Sequence, residues 1–221
     1  QELWDEIDGT TYDWTMPDNF YACIETHDKD VIKFDFLDKE YEVVQKVNER
    51  PRFHKGLGPN LIHSIDGMIV REMFRRCQFK TETVTRIIDL ITTGANKTDG
   101  KSAEMVQTLW EHYQISGFLS ARILDYLHYD TMGLVDPVVI AKLIQSMPVK
   151  SFELVSVHDC FRCHPNYGND LRRQYNTIMA DINDSNLLSF IASQLSRTPI
   201  KVRKVGFIPR EVILNGNYLL S

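Results

Sequence analysis

The chain has 221 residues, of which 43% are hydrophobic and 25% are charged, and its formal net charge is −5. This composition is typical of a folded protein with one large domain or two small ones. The sequence has no apolar run of the ~18–20 residues that a membrane helix needs and no signal-peptide pattern, so we expect no membrane partner. Because the chain begins with Gln1 rather than Met, we expect further polypeptide upstream or in another chain.

Charge is distributed unevenly along the sequence. Residues 1–50 carry 14 acids and 5 bases, a net charge of −9, so residues 51–221 carry a net charge of +4. Near the end of the chain is a stretch with bases and no acid, formed by Arg197, Lys201, Arg203, Lys204 and Arg210. Such a cluster can bind nucleic-acid phosphates, and we predict that Arg197, Lys201, Arg203 and Lys204 do so. Charge alone is equally consistent with a solvated basic segment.

The first third of the sequence predicts short strands followed by a helix. Alternating residues between turn signals predict antiparallel strands at 12–14, 20–24, 31–34 and 41–44, with turns at 17–19 and 27–30. A Gly-Pro loop over residues 55–59 leads into a helix for which Asn60 is the predicted N-cap. Apolar residues at spacings of three and four give this helix one apolar face, formed by Leu61, Ile62, Ile65, Ile69, Met73 and Phe74.

Residues 80–147 predict a run of helices without a chemical motif. The candidate helices cover 83–91, 103–113, 118–129 and 138–147. We interpret 80–149 as a helical insertion or accessory module, which follows a β-rich segment at 1–58 and the helix at 59–79. The final part, 150–221, predicts a strand over 152–157, a return strand at Cys160–Cys163, and helices over 171–182 and Leu187–Leu195.

The strand over 152–157 is the most informative feature, because it leads directly to His158 and Asp159. A carboxylate at the end of a buried strand is rigid and partly solvated, and it can hold a divalent metal ion against a phosphate. The following residues leave an alternative open. Cys160, Cys163 and His164 have the C-x-x-C-H spacing of c-type haem attachment, and with His158 they could form half of a zinc site. The simpler interpretation is that the cysteines are alternating side chains on a strand.

Four sequence blocks resemble, in order, the bacteriophage-type single-subunit RNA polymerases, a family that includes the mitochondrial enzymes. GPNLIHSIDG at 58–67 resembles the family's PN-hydrophobic-hydrophobic-HS-x-D helix, and SVHDCF at 156–161 resembles the His-Asp hairpin of palm motif C. TMPDNF at 15–20 is similar to the T-P-D-G-F turn that precedes the helix, and YLLS at 218–221 is similar to the C-terminal foot. The likeness covers residues 10–78 and 150–221.

The resemblance implies an α+β fold, in which a polymerase palm with an antiparallel sheet and the motif C hairpin is flanked by helices. It implies a DNA-directed RNA polymerase that transfers nucleotides to an RNA 3′ end, with Mg²⁺ as cofactor and with a DNA template, an RNA transcript and nucleoside triphosphates as partners. Asp159 would bind the metal, His158 would support the corner and the primer end, and His63 would contact the incoming nucleotide. The implied location is the cytoplasm of an infected bacterium, with the mitochondrial matrix as the alternative.

The sequence departs from the family pattern in two ways. His63 and His158 are 95 residues apart, much farther than in the family, which is why 80–149 is interpreted as an insertion. A second palm aspartate and the fingers pattern R-x3-K-x6-Y-G are missing, so we expect activity only with the remainder of the polymerase, upstream or in a second subunit. Two alternatives stay open: a non-catalytic nucleic-acid-binding or assembly subunit of a polymerase, and a fragment of an A-family DNA polymerase, where an acid typically stands at the position of Cys160.

Overall fold

The computed structural model describes residues 11–25, 28–47, 56–157, 160–206 and 208–217. Within these residues, strands form three antiparallel two-stranded sheets. The pairs are β1 (Thr11–Thr15) with β2 (Tyr21–Glu25), β3 (Asp28–Phe36) with β4 (Lys39–Val47), and β5 (Leu154–Val157) with β6 (Cys160–Cys163). The predicted mixture of helices and strands is confirmed, and the described strands form separate hairpins.

Seven α-helices are described, together with short 3₁₀ helices at Ala121–Asp125, Met132–Leu134 and Pro165–Tyr167. The α-helices are α1 (Leu57–Cys77), α2 (Thr81–Thr93), α3 (Ala103–Ser116), α4 (Pro137–Ser146), α5 (Gly168–Asp184), α6 (Leu187–Leu195) and α7 (Arg210–Leu214). Among these described helices, none is long and apolar enough to cross a membrane.

Local sequence signals account for several helix ends. Gly94 and Gly117 end α2 and α3 in the left-handed conformation, with φ of 70° and 74°, which costs glycine little because it has no Cβ. At the start of α4, the Asp136 side chain accepts a hydrogen bond from the backbone N–H of Val138 at 2.8 Å, and Pro137 occupies the first turn.

Three local predictions are corrected by the structure. Asn60 is not the N-cap, because α1 begins one turn earlier and Asn60 Nδ2 donates to the Gly56 carbonyl at 2.8 Å. The predicted turn at 27–30 is strand from Asp28 onward, because β3 pairs with β4 along its whole length; residues 26–27 lie outside the described part. The predicted strand at 152–157 begins at Leu154, because the backbone N–H of Phe152 donates to the Cys77 carbonyl at 2.8 Å instead.

The predicted helix at 118–129 is also wrong, since only Ala121–Asp125 is helical there, and it is 3₁₀. Its first N–H groups have side-chain acceptors that compete with a regular helix. Ala121 N donates to Glu72 Oε2 at 2.9 Å, and Arg122 N donates to Ser120 Oγ at 3.1 Å. The apolar spacing that predicted a helix is used instead to bury Ile123, Leu124 and Leu127.

Two apolar cores lie side by side. The first packs β1, α1, β5, α5 and α6 around fully buried residues such as Trp14, Met73 and Ile178. The second is drawn from residues 87–147 and contains Ile87, Ile123 and Ile140 at its centre. The residues that lie between α1 and β5 in the sequence therefore form a separate apolar core.

A polar seam joins the two cores, and its centre is Glu72 on α1. This carboxylate is fully buried. It accepts hydrogen bonds from the Ser120 hydroxyl, from Ala121 N at 2.9 Å, from Arg75 Nη1 at 2.9 Å and from Arg76 Nε at 3.3 Å. We call Glu72, Arg75, Arg76, Ser120 and Ala121 the seam.

Candidate functional site

The β5–β6 hairpin is short and firmly anchored at its base. Its register runs from Leu154 opposite Cys163 to Val157 opposite Cys160, which leaves His158 and Asp159 as the two connecting residues. This predicted catalytic pair lies outside the described residues. Leu154 is buried in the first core, so the hairpin is fixed to the same core as α1.

The end of α1 packs against the base of this hairpin. The backbone N–H of Phe152 and the Ser151 hydroxyl both donate to the Cys77 carbonyl, at 2.8 and 3.3 Å. Burial raises the pKa of the Cys77 thiol to about 12, and the nearby Cys163 thiol adds to this effect. A thiol with such a pKa is unreactive at neutral pH, so Cys77 acts as a packing residue here.

A second contact links the hairpin to α5. Phe161, which pairs with Ser156 in the hairpin, lies with its ring centroid 6.3 Å from that of Tyr175 on α5. Burial raises the pKa of the Tyr175 hydroxyl, and the negative charge of Asp66 on α1 raises it further. Phe161 and Tyr175 pack against the first core together with Leu61 and Ile65 of α1, so α1, α5 and the hairpin meet at this core.

His63 is exposed on α1, three residues before Asp66. Residues three apart on a helix share a face, so His63 and Asp66 are neighbours on the surface of α1. Within the described residues it has no hydrogen bond or ion pair. This placement is compatible both with a contact to a nucleotide and with an ordinary surface histidine.

The β1–β2 turn brings a third sequence block to the same helix. Trp14 Nε1 donates to Ser64 Oγ at 3.1 Å. Asp18, fully buried, accepts hydrogen bonds from Arg71 Nε at 2.6 Å and from Arg75 Nη1 at 2.8 Å. Burial on its own would raise the pKa of Asp18, but the hydrogen bonds from Arg71 and Arg75 outweigh it and lower the pKa below its ordinary value.

The sequence patterns did not predict this buried ion pair. Asp18 and Arg71 are 53 residues apart in the chain. The available signal was the i, i+4 spacing of Arg71 and Arg75 on a helix, since two such guanidinium groups on one face can enclose a single carboxylate.

The hairpin geometry argues against the haem and zinc alternatives. Cys160 is exposed, whereas Cys163 is half-buried with Phe161 against the first core. Residues three apart on a strand point to opposite faces of the sheet, so the two sulfurs diverge. His164 is engaged separately, as its Nδ1 accepts a hydrogen bond from Asn166 N at 3.3 Å. The simpler interpretation, alternating strand residues, fits this arrangement.

The described residues do not complete a metal site by themselves. Among them, no group of three His, Cys, Asp or Glu side chains is arranged to hold a metal ion. Mg²⁺ needs few protein carboxylates and takes waters and phosphate oxygens as its other ligands. A magnesium site at the hairpin would therefore depend on Asp159 and on a further carboxylate from outside the described residues.

The predicted nucleic-acid contacts lie in the extended segment between α6 and α7. Arg197 forms an ion pair with Asp13, and Lys204 donates to the Asn183 carbonyl, so both are held by the protein itself. Lys201 and Arg203 are exposed, and neither forms an ion pair within the described part of the chain. The segment is tethered where Ile200 N donates to Ser193 Oγ at 2.8 Å.

Comparison with known proteins found no match to the chain, either among family models or among curated sequences.

Proposed function

We propose that this chain is the C-terminal palm and fingers part of a bacteriophage-type DNA-directed RNA polymerase. Its reaction would be template-directed transfer of a nucleotide to an RNA 3′ end. Asp159, at the connection of the β5–β6 hairpin, would be the carboxylate that the chain contributes to catalysis, and His63 would be a contact to the incoming nucleotide.

The supporting observation is that three sequence blocks, far apart in the chain, converge on one helix. The HS-x-D block forms the first half of α1, and the P-D-N-F turn is bound to α1 through Asp18 and Arg71. Phe152, two residues before β5 of the His-Asp hairpin, donates its backbone N–H to the Cys77 carbonyl at the end of α1. Contact among these segments is what a single site built from them requires. The second core, from residues 87–147, lies between blocks in sequence without separating them in space.

The roles proposed for these residues follow from their chemistry and from the family resemblance. Asp159 is in the two-residue connection between β5 and β6, and its carboxylate could hold a metal ion against the transferring phosphate. Magnesium, when bound, would supply electrostatic stabilisation of the transferring phosphate. His63 can donate or accept a hydrogen bond, and a ribose 2′ hydroxyl offers both functions.

The first prediction concerns Asp159, which is tested by Asp159→Asn in the chain assembled with its remaining polypeptide. We expect at least about a thousandfold loss of templated nucleotide addition, because a ligand of the transferring phosphate contributes several kcal/mol at ~1.4 kcal/mol per decade. The measurement is single-turnover extension of an RNA primer on a DNA template, with ribonucleotides and with deoxyribonucleotides.

The matched control is Glu153→Gln, the same chemical change at an exposed carboxylate of the preceding segment, which should leave the rate unchanged. An Asp159→Asn protein that keeps a tenth or more of the activity would favour a non-catalytic subunit. A wild-type preference for deoxyribonucleotides would favour the A-family DNA polymerase alternative.

A further inference from the structure

A cleft opens beside the seam, where α1 ends and α2 begins. Its volume is about 600 Å³, within the range of small-molecule sites. The last turn of α1, residues 78–80, the first turns of α2 and the 3₁₀ helix Ala121–Asp125 form its walls. None of its lining residues belongs to the β5–β6 hairpin or to residues 58–67, so it is a separate place on the molecule.

Arg86 is the most informative side chain in this cleft. Its Nη2 donates to the Leu127 carbonyl at 3.4 Å, which helps to fix the guanidinium. Its Nε is buried without a hydrogen-bond partner, and within the described residues Arg86 forms no ion pair. Arg86 is half-buried, and a guanidinium without a counterion favours an anionic ligand that its other N–H groups can reach from the cleft.

The other lining groups define the ligand chemistry. Lys80 is exposed at the mouth of the cleft, and His128 lies half-buried in the wall. Asp125 is the only acid among the lining residues that the structure describes. Phe74 and Phe79 supply flat apolar surface. Cationic donors beside aromatic rings are the combination that binds a phosphate together with a nucleobase.

A neighbouring hollow extends the same surface. Arg86 and His128 line it too, together with Lys101, Tyr126 and Tyr129, and its volume is about 1040 Å³. The ammonium group of Lys97 lies 5.1 Å from the centre of the Tyr129 ring. Basic and aromatic groups therefore continue beyond the first cleft, although Glu104 and Asp130 in this hollow reduce its positive charge.

We propose that the cleft between α1 and α2 binds a nucleotide unit, either free or within a single strand. Arg86 and Lys80 contact the phosphate, and Phe79 stacks on the base. This inference does not depend on the polymerase assignment, because none of these residues belongs to the site at the hairpin.

The test measures binding of a fluorescein-labelled single-stranded oligonucleotide to the purified protein by fluorescence anisotropy, in a DNA and an RNA form. Arg86→Gln should raise the dissociation constant about tenfold. Lys80→Gln should lower the slope of log Kd against log salt concentration by about one. The controls Arg173→Gln and Lys150→Gln, both at exposed positions outside the cleft, should bind as the wild type does.

Phe79→Leu separates base stacking from charge. It should weaken oligonucleotide binding about tenfold and leave competition by inorganic phosphate unchanged. Adenosine monophosphate that displaces the probe at a similar concentration would identify a free nucleotide as the ligand, whereas displacement only by unlabelled oligonucleotide would identify a nucleotide within a strand.

The proposal is overturned if the wild type binds neither probe, or if Arg86→Gln and Lys80→Gln both bind as the wild type does. It is also overturned if binding is lost only with Lys201→Gln or Arg203→Gln, since the ligand would then lie on the segment between α6 and α7. Lys80 is exposed, so its variant decides the question even if Arg86→Gln folds poorly.

Discussion

Asp18 illustrates how a single side chain can organise several parts of this fold. The carboxylate is fully buried on the β1–β2 turn and is enclosed by Arg71 and Arg75 of α1. Arg122 also donates to the Asp18 backbone carbonyl at 2.8 Å, which adds a contact from the 3₁₀ helix. A buried carboxylate is tolerated only with such partners, because removing one partner exposes the full cost of the unpaired charge.

The second prediction is that Asp18→Asn lowers the free energy of unfolding at pH 7 by ~3–5 kcal/mol, because it leaves the partly buried Arg71 without its counterion and Arg75 with Glu72 alone. The pKa of Asp18 is lowered in the folded state, so its contribution is present above the unfolded pKa of 3.8 and is lost as the pH falls through the folded pKa. The difference between mutant and wild type should therefore shrink in acid.

Urea unfolding between pH 3 and pH 7 measures both effects. The control Asp89→Asn changes an exposed carboxylate on α2 and should shift the free energy by less than ~0.5 kcal/mol. Equal stability of Asp18→Asn and wild type at pH 7 would show that the ion pair contributes nothing net to folding.

At the scale of elements, periodic patterns in the sequence predicted the helix ends that neighbouring residues determine. α6 has the predicted bounds Leu187–Leu195, and α3 starts at the predicted Ala103. The helix predicted at 118–129 is wrong for a different reason. The apolar spacing there fits a helix, but Glu72, 49 residues away in sequence, accepts a hydrogen bond from Ala121 N. Long-range acceptors of this kind leave no trace in a local pattern, and the same holds for the partners of Asp18.

The β3–β4 hairpin is exposed over the residues whose burial the structure describes. Every residue from Asp30 to Gln45 is exposed. Its rings interact mainly with each other, as Phe34 and Tyr41 stack with centroids 5.7 Å apart. Lys33 forms ion pairs with Glu40 and Glu42 at 3.2 and 2.7 Å on the opposite face, and exposed pairs of this kind add little stability.

The third prediction is that replacing residues 30–45 by a short Gly-Ser linker changes the melting temperature of the protein by less than about 2 °C, because all of these residues are exposed. Circular dichroism and calorimetry provide the measurement. For contrast, Trp14→Ala in β1 removes a side chain that is 1% exposed and should cost ~3–5 kcal/mol. A large drop in melting temperature after the replacement would mean that the hairpin packs on the cores in solution.

For the whole molecule, the order of elements in the sequence does not show which elements pack together. Sequence patterns carried no signal for the packing of α1, α5 and the β5–β6 hairpin on one core, where Phe161 lies against Tyr175. The cleft with Arg86 was invisible in sequence, because its walls come from segments about 40 residues apart that carry no motif. The shape of such a cleft depends on how the two cores pack together, and the seam lies between them.

The last prediction tests the seam directly. Glu72→Gln removes the charge that Arg75 and Arg76 share, at 2.9 and 3.3 Å, and it replaces an acceptor of the Ser120 hydroxyl and of Ala121 N. Arg76 keeps Asp181 at 3.0 Å, so part of its charge stays paired. We expect a loss of ~3–5 kcal/mol in unfolding free energy, with faster amide exchange in Ala121–Asp125 and in the second half of α1.

Hydrogen exchange followed by mass spectrometry distinguishes this outcome from a general loosening of the protein. Residues in the interior of each core, such as those of α4 and α6, should change less than those at the seam, because each core keeps its own apolar contacts. Glu82→Gln, at an exposed position on α2, is the matched control and should leave exchange unaltered. Uniform acceleration across both cores in Glu72→Gln would instead show that the two cores unfold as one unit, with the seam contributing only to total stability.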